Sequence, residues 1–174
     1  MTTDSDDNRL NRIWSRPFRK KVAWVEEATR LCLDHCLFEG IAERSVQHIV
    51  SHMHPRTYQR GEVIFEMAHA GASAMLILDG EVLIMADTVE LTRLHHGDIF
   101  GEVSLATPLP RTAQAIASKD CRLVFFLRSD MDEWIERRPR EASHFLINLS
   151  TMLAERLMER NLEVIETASP LDDS

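Results

Sequence analysis

Cysteine is scarce and odd in number, with 3 among 174 residues. That excludes a secreted disulfide framework and fits reduced thiols in a cytosolic setting. No apolar run approaches the roughly 20 residues needed to cross a bilayer. The N-terminus reads Met-Thr-Thr-Asp-Ser-Asp-Asp, with no basic stretch ahead of an apolar one, so no signal peptide is expected. There is no internal repeat and no low-complexity tract. Excess positive charge is also missing. The net charge is -8, whereas phosphate neutralisation gives DNA-gripping domains a basic face. Direct DNA binding is therefore not expected. The exception is local: Arg9, Arg12, Arg16, Arg19, Lys20 and Lys21 fall in residues 9–21 without an acid.

What remains suits one compact domain with extra helix, since 44% of the residues are hydrophobic and 28% charged. Residues 1–20 form a polar and then basic N-terminal segment, expected to be partly disordered. Its basic part with Trp14 suits a membrane surface or a protein partner, or equally a helical lead-in. Residues 21–55 read as helices. Val22, Val25, Ala28, Cys32 and Cys36 share one stripe, and a second helix runs from Ala42 to His52 ahead of Pro55. From 56 to 128 the period changes to short strands: Arg56–Arg60, Val63–Phe65, Ala74–Leu78, Glu81–Met85, Glu90–His95, Arg111–Ser118 and Arg122–Leu127. Asp79-Gly80 between two apolar runs predicts a hairpin. Helix returns over 129–166, with Ser129 and Asp132 as a capping box. Pro139 then precedes a long helix, Glu141 to about Ile165, striped by Leu146, Leu149, Leu153 and Leu157. Residues 167–174 are a polar tail. Spaced strands with such turns predict an antiparallel barrel or sandwich between helices.

The chemistry concentrates in residues 97–113. Gly101 allows close backbone approach to a ligand. The short turn Glu102–Ala106 points the N–H groups of Val103, Ser104 and Leu105 toward an anion. Arg111 offers a forked, permanently charged donor for phosphate oxygens, and Glu102 an acceptor for a sugar hydroxyl. Together these residues suit a sugar phosphate.

Gly101-Glu102-Val103-Ser104-Leu105 with Arg111-Thr112-Ala113 resembles the phosphate-binding cassette of cyclic-nucleotide-binding domains. That family includes kinase regulatory subunits, gated channels and catabolite-activator-type regulators. Leu37–Ile41 looks like its entry segment, Tyr58–Phe65 its first hairpin, Leu76–Val82 its central hairpin, and Leu94–Phe100 the approach to the cassette. The resemblance implies a mainly β fold: an antiparallel eight-stranded, jelly-roll-like β-roll with N-terminal helices and a long C-terminal helix. It implies ligand contacts from Gly101, Glu102, Val103, Ser104, Leu105, Arg111, Thr112 and Ala113. The arginine takes the cyclic phosphate, the glutamate the ribose 2′-hydroxyl, and backbone N–H groups complete the cradle. The ligand is cyclic AMP or cyclic GMP. Thr112 supplies a hydroxyl that can contact guanine, and cyclic AMP is the commoner family ligand.

Two positions depart from the family. Ala68, in Met67-Ala68-His69, stands where a turn glycine is usual, and Met75 stands where an aromatic is common. The expected role is a cytoplasmic, non-enzymatic sensor that signals through its C-terminal helices. Residues 141–165 are the candidate homodimer contact. Too few residues follow Ile165 for the helix-turn-helix of the bacterial regulators. Two alternatives stay open: a ligand-free interaction module on the same fold, and a metal-dependent cupin-like enzyme. The latter would need metal-binding His and Glu on inward-facing strand positions, whereas His52 and His54 precede the strands and His95-His96 sit beside the Gly97 turn. Solvated or capping histidines are the simpler reading, and no metal or cofactor is expected.

Overall fold

A computed structural model describes residues 23–168. The basic segment 9–21 and the residues beyond 168 lie outside that range. Helix α1 occupies 23–34, and a 3-10 turn, Cys36–Phe38, leads to α2, Glu43–His52. Eight strands follow: β1 His54–Tyr58, β2 Val63–Phe65, β3 Ser73–Asp79, β4 Val82–Ala86, β5 Val89–Leu94, β6 Ile99–Phe100, β7 Gln114–Ala117 and β8 Cys121–Leu127. A short helix α3, Val103–Ala106, sits between β6 and β7. The chain then continues into α4, Arg128–Arg137, and α5, Pro139–Ala168.

All the strand pairings are antiparallel. They form two four-stranded sheets, ordered β1-β8-β3-β6 and β2-β7-β4-β5. The expected eight-stranded roll is therefore what the chain forms. Strand β3 explains why part of it reads as a continuous apolar run. Its side chains alternate between two cores, because one face meets the helices and the other meets the second sheet. Ala74, Leu76 and Leu78 join the helix-side core, while Met75 and Ile77 face the roll interior.

That topology corrects the hairpin reading. Asp79-Gly80 does not close a hairpin, because β3 and β4 lie in different sheets. Gly80 has φ 96° and supplies the turn between sheets. A Cβ there would lie 2.7 Å from Cys121 Sγ. The tight hairpin joins β4 to β5 through Asp87, at φ 51°. Likewise β1 and β2 do not pair with each other. The last strand before the C-terminal helices but one begins at Gln114, so Arg111, Thr112 and Ala113 precede it. The capping residue of α4 is Asp130, whose carboxylate accepts from Leu127 N–H at 3.1 Å, in place of the Ser129–Asp132 box.

The C-terminal helices are anchored by an aromatic cluster. Phe145 is buried, with ring centroids 5.2 Å from Phe38, 6.0 Å from Phe126 and 5.5 Å from Trp134. Truncating such a residue to alanine costs about 3–5 kcal/mol. Asn148 Nδ2 donates to the carbonyls of Leu37 and Glu39 at 3.2 and 2.9 Å, pinning α5 to the entry segment. Ala142, Phe145, Leu149 and Met152 form the inward stripe of α5. The predicted leucine stripe drifts off it: Leu146 and Leu153 are partly buried, and Leu157 is 62% exposed.

Candidate functional site

Strand β6 ends at Phe100, and Gly101 then turns the chain with φ 72°. A side chain is excluded there, since a Cβ would lie 2.6 Å from Arg111 Nη1 and 2.9 Å from Met75 Cε. Arg111 crosses back over this turn. Its Nη1 donates to Gly101 O at 3.1 Å and its Nη2 to Ser73 O at 2.7 Å. The guanidinium carbon lies 4.2 Å from the centroid of the Phe65 ring, a cation–π contact. Burial lowers the Arg111 pKa, and the Glu102 carboxylate opposes that shift. Among the described residues no carboxylate pairs with Arg111 in a salt bridge. The guanidinium is thus half-desolvated and held by neutral carbonyls, a state that favours an incoming anion.

Glu102 is 3% exposed. A buried carboxylate needs a partner, and this one comes from far along the chain: Arg156 Nη1, on α5, donates to Glu102 Oε1. These groups open onto a cavity of about 820 Å³, within the range usual for small-molecule sites. One wall is apolar, with Phe65, Ile84, Leu94 and Phe100. Another is the charged stretch Arg156, Glu159, Arg160 and Glu163 of α5.

Seven of the eight residues singled out in the sequence line this cavity: Gly101, Glu102, Val103, Ser104, Arg111, Thr112 and Ala113. Leu105 does not. Its side chain packs in the helix-side core, where it holds α3 against the roll. The helix-terminus reading also needs correction. Ser104 N–H donates to Gly101 O at 3.1 Å and Leu105 N–H to Glu102 O at 2.9 Å. The tight turn engages these two of the three expected N–H donors, Val103 N–H being the third.

Sequence reasoning missed the α5 residues, although a signal existed. The inward stripe Ala142, Phe145, Leu149, Met152 continues at the same spacing through Arg156, Glu159 or Arg160, and Glu163. It changes from apolar to charged where it passes over the cavity. The histidine pairs serve elsewhere. His96 Nδ1 bonds Leu78 O at 2.8 Å, His95 Nδ1 lies 3.6 Å from Glu81 Oε2, and His52 Nδ1 bonds His48 O at 2.7 Å. Among the described residues, no three His, Cys, Asp or Glu gather as a metal site, and no helix is long and apolar enough to cross a membrane.

Comparison with known proteins agrees with this geometry. The chain is 33% identical over 133 residues to the cyclic AMP receptor protein of Thermus thermophilus, a match covering 74% of this chain and 60% of the relative. The crystal structure of the Thermus thermophilus catabolite activator protein superposes with a TM-score of 0.68 at 32% identity, covering 77% of this chain and 63% of that one. A cyclic nucleotide-binding domain from Methylobacillus flagellatus gives a TM-score of 0.73 at 22% identity, covering 85% and 86%, and speaks for the fold alone. The chain thus spans about three fifths of the length of the first of these relatives. Residues 55–138 match the cyclic nucleotide-binding domain model, and by that match, the roll and the cassette geometry this chain carries a domain of the cyclic nucleotide-binding family.

Proposed function

We propose that the chain is a cyclic-nucleotide sensor without catalytic activity of its own. The observation that carries this reading is the half-buried Arg111 guanidinium, facing the cavity with only carbonyls and an aromatic ring as partners. A cyclic phosphate would exchange those neutral acceptors for charged oxygens. Charge-assisted bonds are roughly twice as strong as neutral ones. Glu102 would accept from the ribose hydroxyl while Arg156 holds its Oε1. The apolar wall would receive the base. Cyclic AMP is the favoured ligand, in line with the name of the Thermus relative. Thr112, at the cavity rim, would let cyclic GMP compete.

The output runs through α5. Its outward face carries Ile147, Leu157, Met158, Leu162 and Ile165, each about 60% exposed, which suits a second copy of the chain through residues 141–165. The other assigned segment, the basic 9–21, would serve a protein partner or a membrane surface. Arg156 links the dimer-forming helix to the ligand site, so ligand and partner would act on the same helix.

Isothermal titration with cyclic AMP and, separately, cyclic GMP tests the reading. Saturable one-site binding to either is the expected result. Absence of heat and of any thermal shift with both would leave a ligand-free interaction module on the same fold.

A further inference from the structure

The strap that leads from β2 into the first residue of β3, residues 68–73, has its backbone divided between two arginines. Ala68 N–H donates to Arg111 O, and Arg111 N–H to His69 O, both at 2.8 Å. Ala70 bridges Pro110. The next three carbonyls face the other way in function. Gly71 O accepts from Arg128 Nη2 at 3.2 Å, Ala72 O from Arg128 N–H at 2.9 Å, and Ser73 O from Arg111 Nη2 at 2.7 Å. The strap also lies hard against the cassette, since a Cβ on Gly71 would overlap Ser104 Oγ and lie 3.2 Å from Arg111 Nε.

The same two guanidinium groups hold the N-terminal side of α3. Arg111 holds Gly101 O, just before it. Arg128 holds Ser104 O, within it, through Nε at 2.8 Å and also through Nη2. Arg128 is moreover the first residue of α4. It lies outside the cavity lining, and among the described residues no carboxylate pairs with it. Its side chain therefore bonds cassette and strap, while its own backbone begins the C-terminal helices.

We propose that Arg128 is the positioning residue that carries a ligand-driven shift of the cassette into α4 and α5, with the strap as a bar between the two arginines. The inference rests on the cyclic-nucleotide reading of the cavity. A phosphate on Arg111 draws donors away from Gly101 O and Ser73 O. The bonds of Arg128 receive no such competition, so any displacement of Ser104 O or Gly71 O is passed to the first turn of α4. Trp134 of that helix meets Phe145 of α5 edge to face, which completes the path. Contiguity by itself is not coupling, so the test must separate binding from transmission.

Hydrogen exchange of the full chain, with and without saturating cyclic AMP or cyclic GMP, makes that separation for wild type, Arg128→Met and Arg128→Lys. Wild type should slow its exchange in both 101–113 and 128–150. Arg128→Met should bind within about threefold of wild type and keep the response in 101–113, but lose it in 128–150, which lies ahead of the cavity-lining residues of α5. Arg128→Lys, with one ammonium for the carbonyls, should recover part of it. An unchanged 128–150 response in Arg128→Met overturns the proposal. So does an affinity loss beyond about tenfold, which would place Arg128 in service of the ligand itself. Should Arg128→Met fail to fold by circular dichroism, Arg128→Lys decides alone: a weakened distal response supports the proposal, and a full one overturns it. Wild-type binding with no distal response sinks this inference only. Wild type binding neither nucleotide sinks the sensor reading, and this inference with it.

Discussion

Two carboxylates are buried in the roll, Glu81 at 6% exposure and Glu102 at 3%, and they are buried in opposite ways. Glu81 is closed by groups close to it in the fold. It accepts from Arg93 at 2.5 Å, from Lys119 at 2.9 Å and from Ser118 Oγ at 2.7 Å, with His95 at 3.6 Å. Lys119, then Ser118 and Arg93, hold its pKa down at about 2. Among the described residues Glu102 has one side-chain hydrogen-bond partner, Arg156, 54 residues along the chain. The first carboxylate has its lone pairs filled by the roll and locks the strand ends together. The second is only partly filled, by a helix from outside the roll, and faces a cavity. Saturation marks structure, and an unfinished hydrogen-bond set marks a place for a ligand.

The sharpest way to break this contrast is at the neighbour of Glu102. Arg111→Ala should weaken cyclic-nucleotide binding by about 100-fold or more, because the phosphate loses its fixed counter-charge. Titration calorimetry reads that loss, and an unchanged affinity would place the ligand elsewhere. Next, Glu102→Gln should cost about tenfold in affinity, the scale of a hydrogen bond to a charged acceptor, with little change in melting temperature. Glu81→Gln should do the reverse: a lower melting temperature by calorimetry and an unaltered titration. If both variants shifted both quantities, the division between a structural and a ligand-facing carboxylate would fail.

The pH dependence follows from the same pair. Glu81 has a folded-state pKa of about 2 against an ordinary value of 4.5. Its contribution to stability is therefore complete above the unfolded value and is lost as pH falls from about 4.5 toward 2. Thermal melts between pH 3 and 7 should show wild type losing more than Glu81→Gln over that acid limb. The smallest effect belongs to the strap. Ala68 sits at φ 67°, where a Cβ is crowded against the following carbonyl. Ala68→Gly should stabilise by up to about 1 kcal/mol, the relieved strain being partly offset by the freer unfolded chain. A lower melting temperature would mean that the alanine methyl contributes packing greater than its strain.

The cassette was legible because its chemistry is local. Gly101, Glu102 and Arg111 stand at fixed short spacing, and a tight turn can bring them together without help from the rest of the chain. Ala68 was legible for a related reason, as a missing glycine whose left-handed backbone the structure retains. What could not be read was sheet membership. Asp79-Gly80 carries the local chemistry of a hairpin, but its flanking strands pair with β8 and β7, more than 30 residues away. Nor did Leu105 announce that it faces the core, because its alternation belongs to α3 and not to a strand. Arg156, Glu159, Arg160 and Glu163 were hidden by their own helix. Following leucines along α5 leads around to its flank, while the inward line becomes charged.

That change of character gives α5 two opposed faces over its distal half. Arg156, Glu159, Arg160 and Glu163 look into the cavity, and Met158, Leu162 and Ile165 point the other way, exposed. With a partner on that outer face, a helix shared in this manner would tie two equilibria to one body. Whatever factor the occupied cavity applies to the association constant of a protein seated on the outer face, that protein must apply the same factor to the ligand. Apparent nucleotide affinity would then be a property of protein concentration as well as of the pocket. Dilution alone would retune the sensor, with no change in any residue that touches the nucleotide.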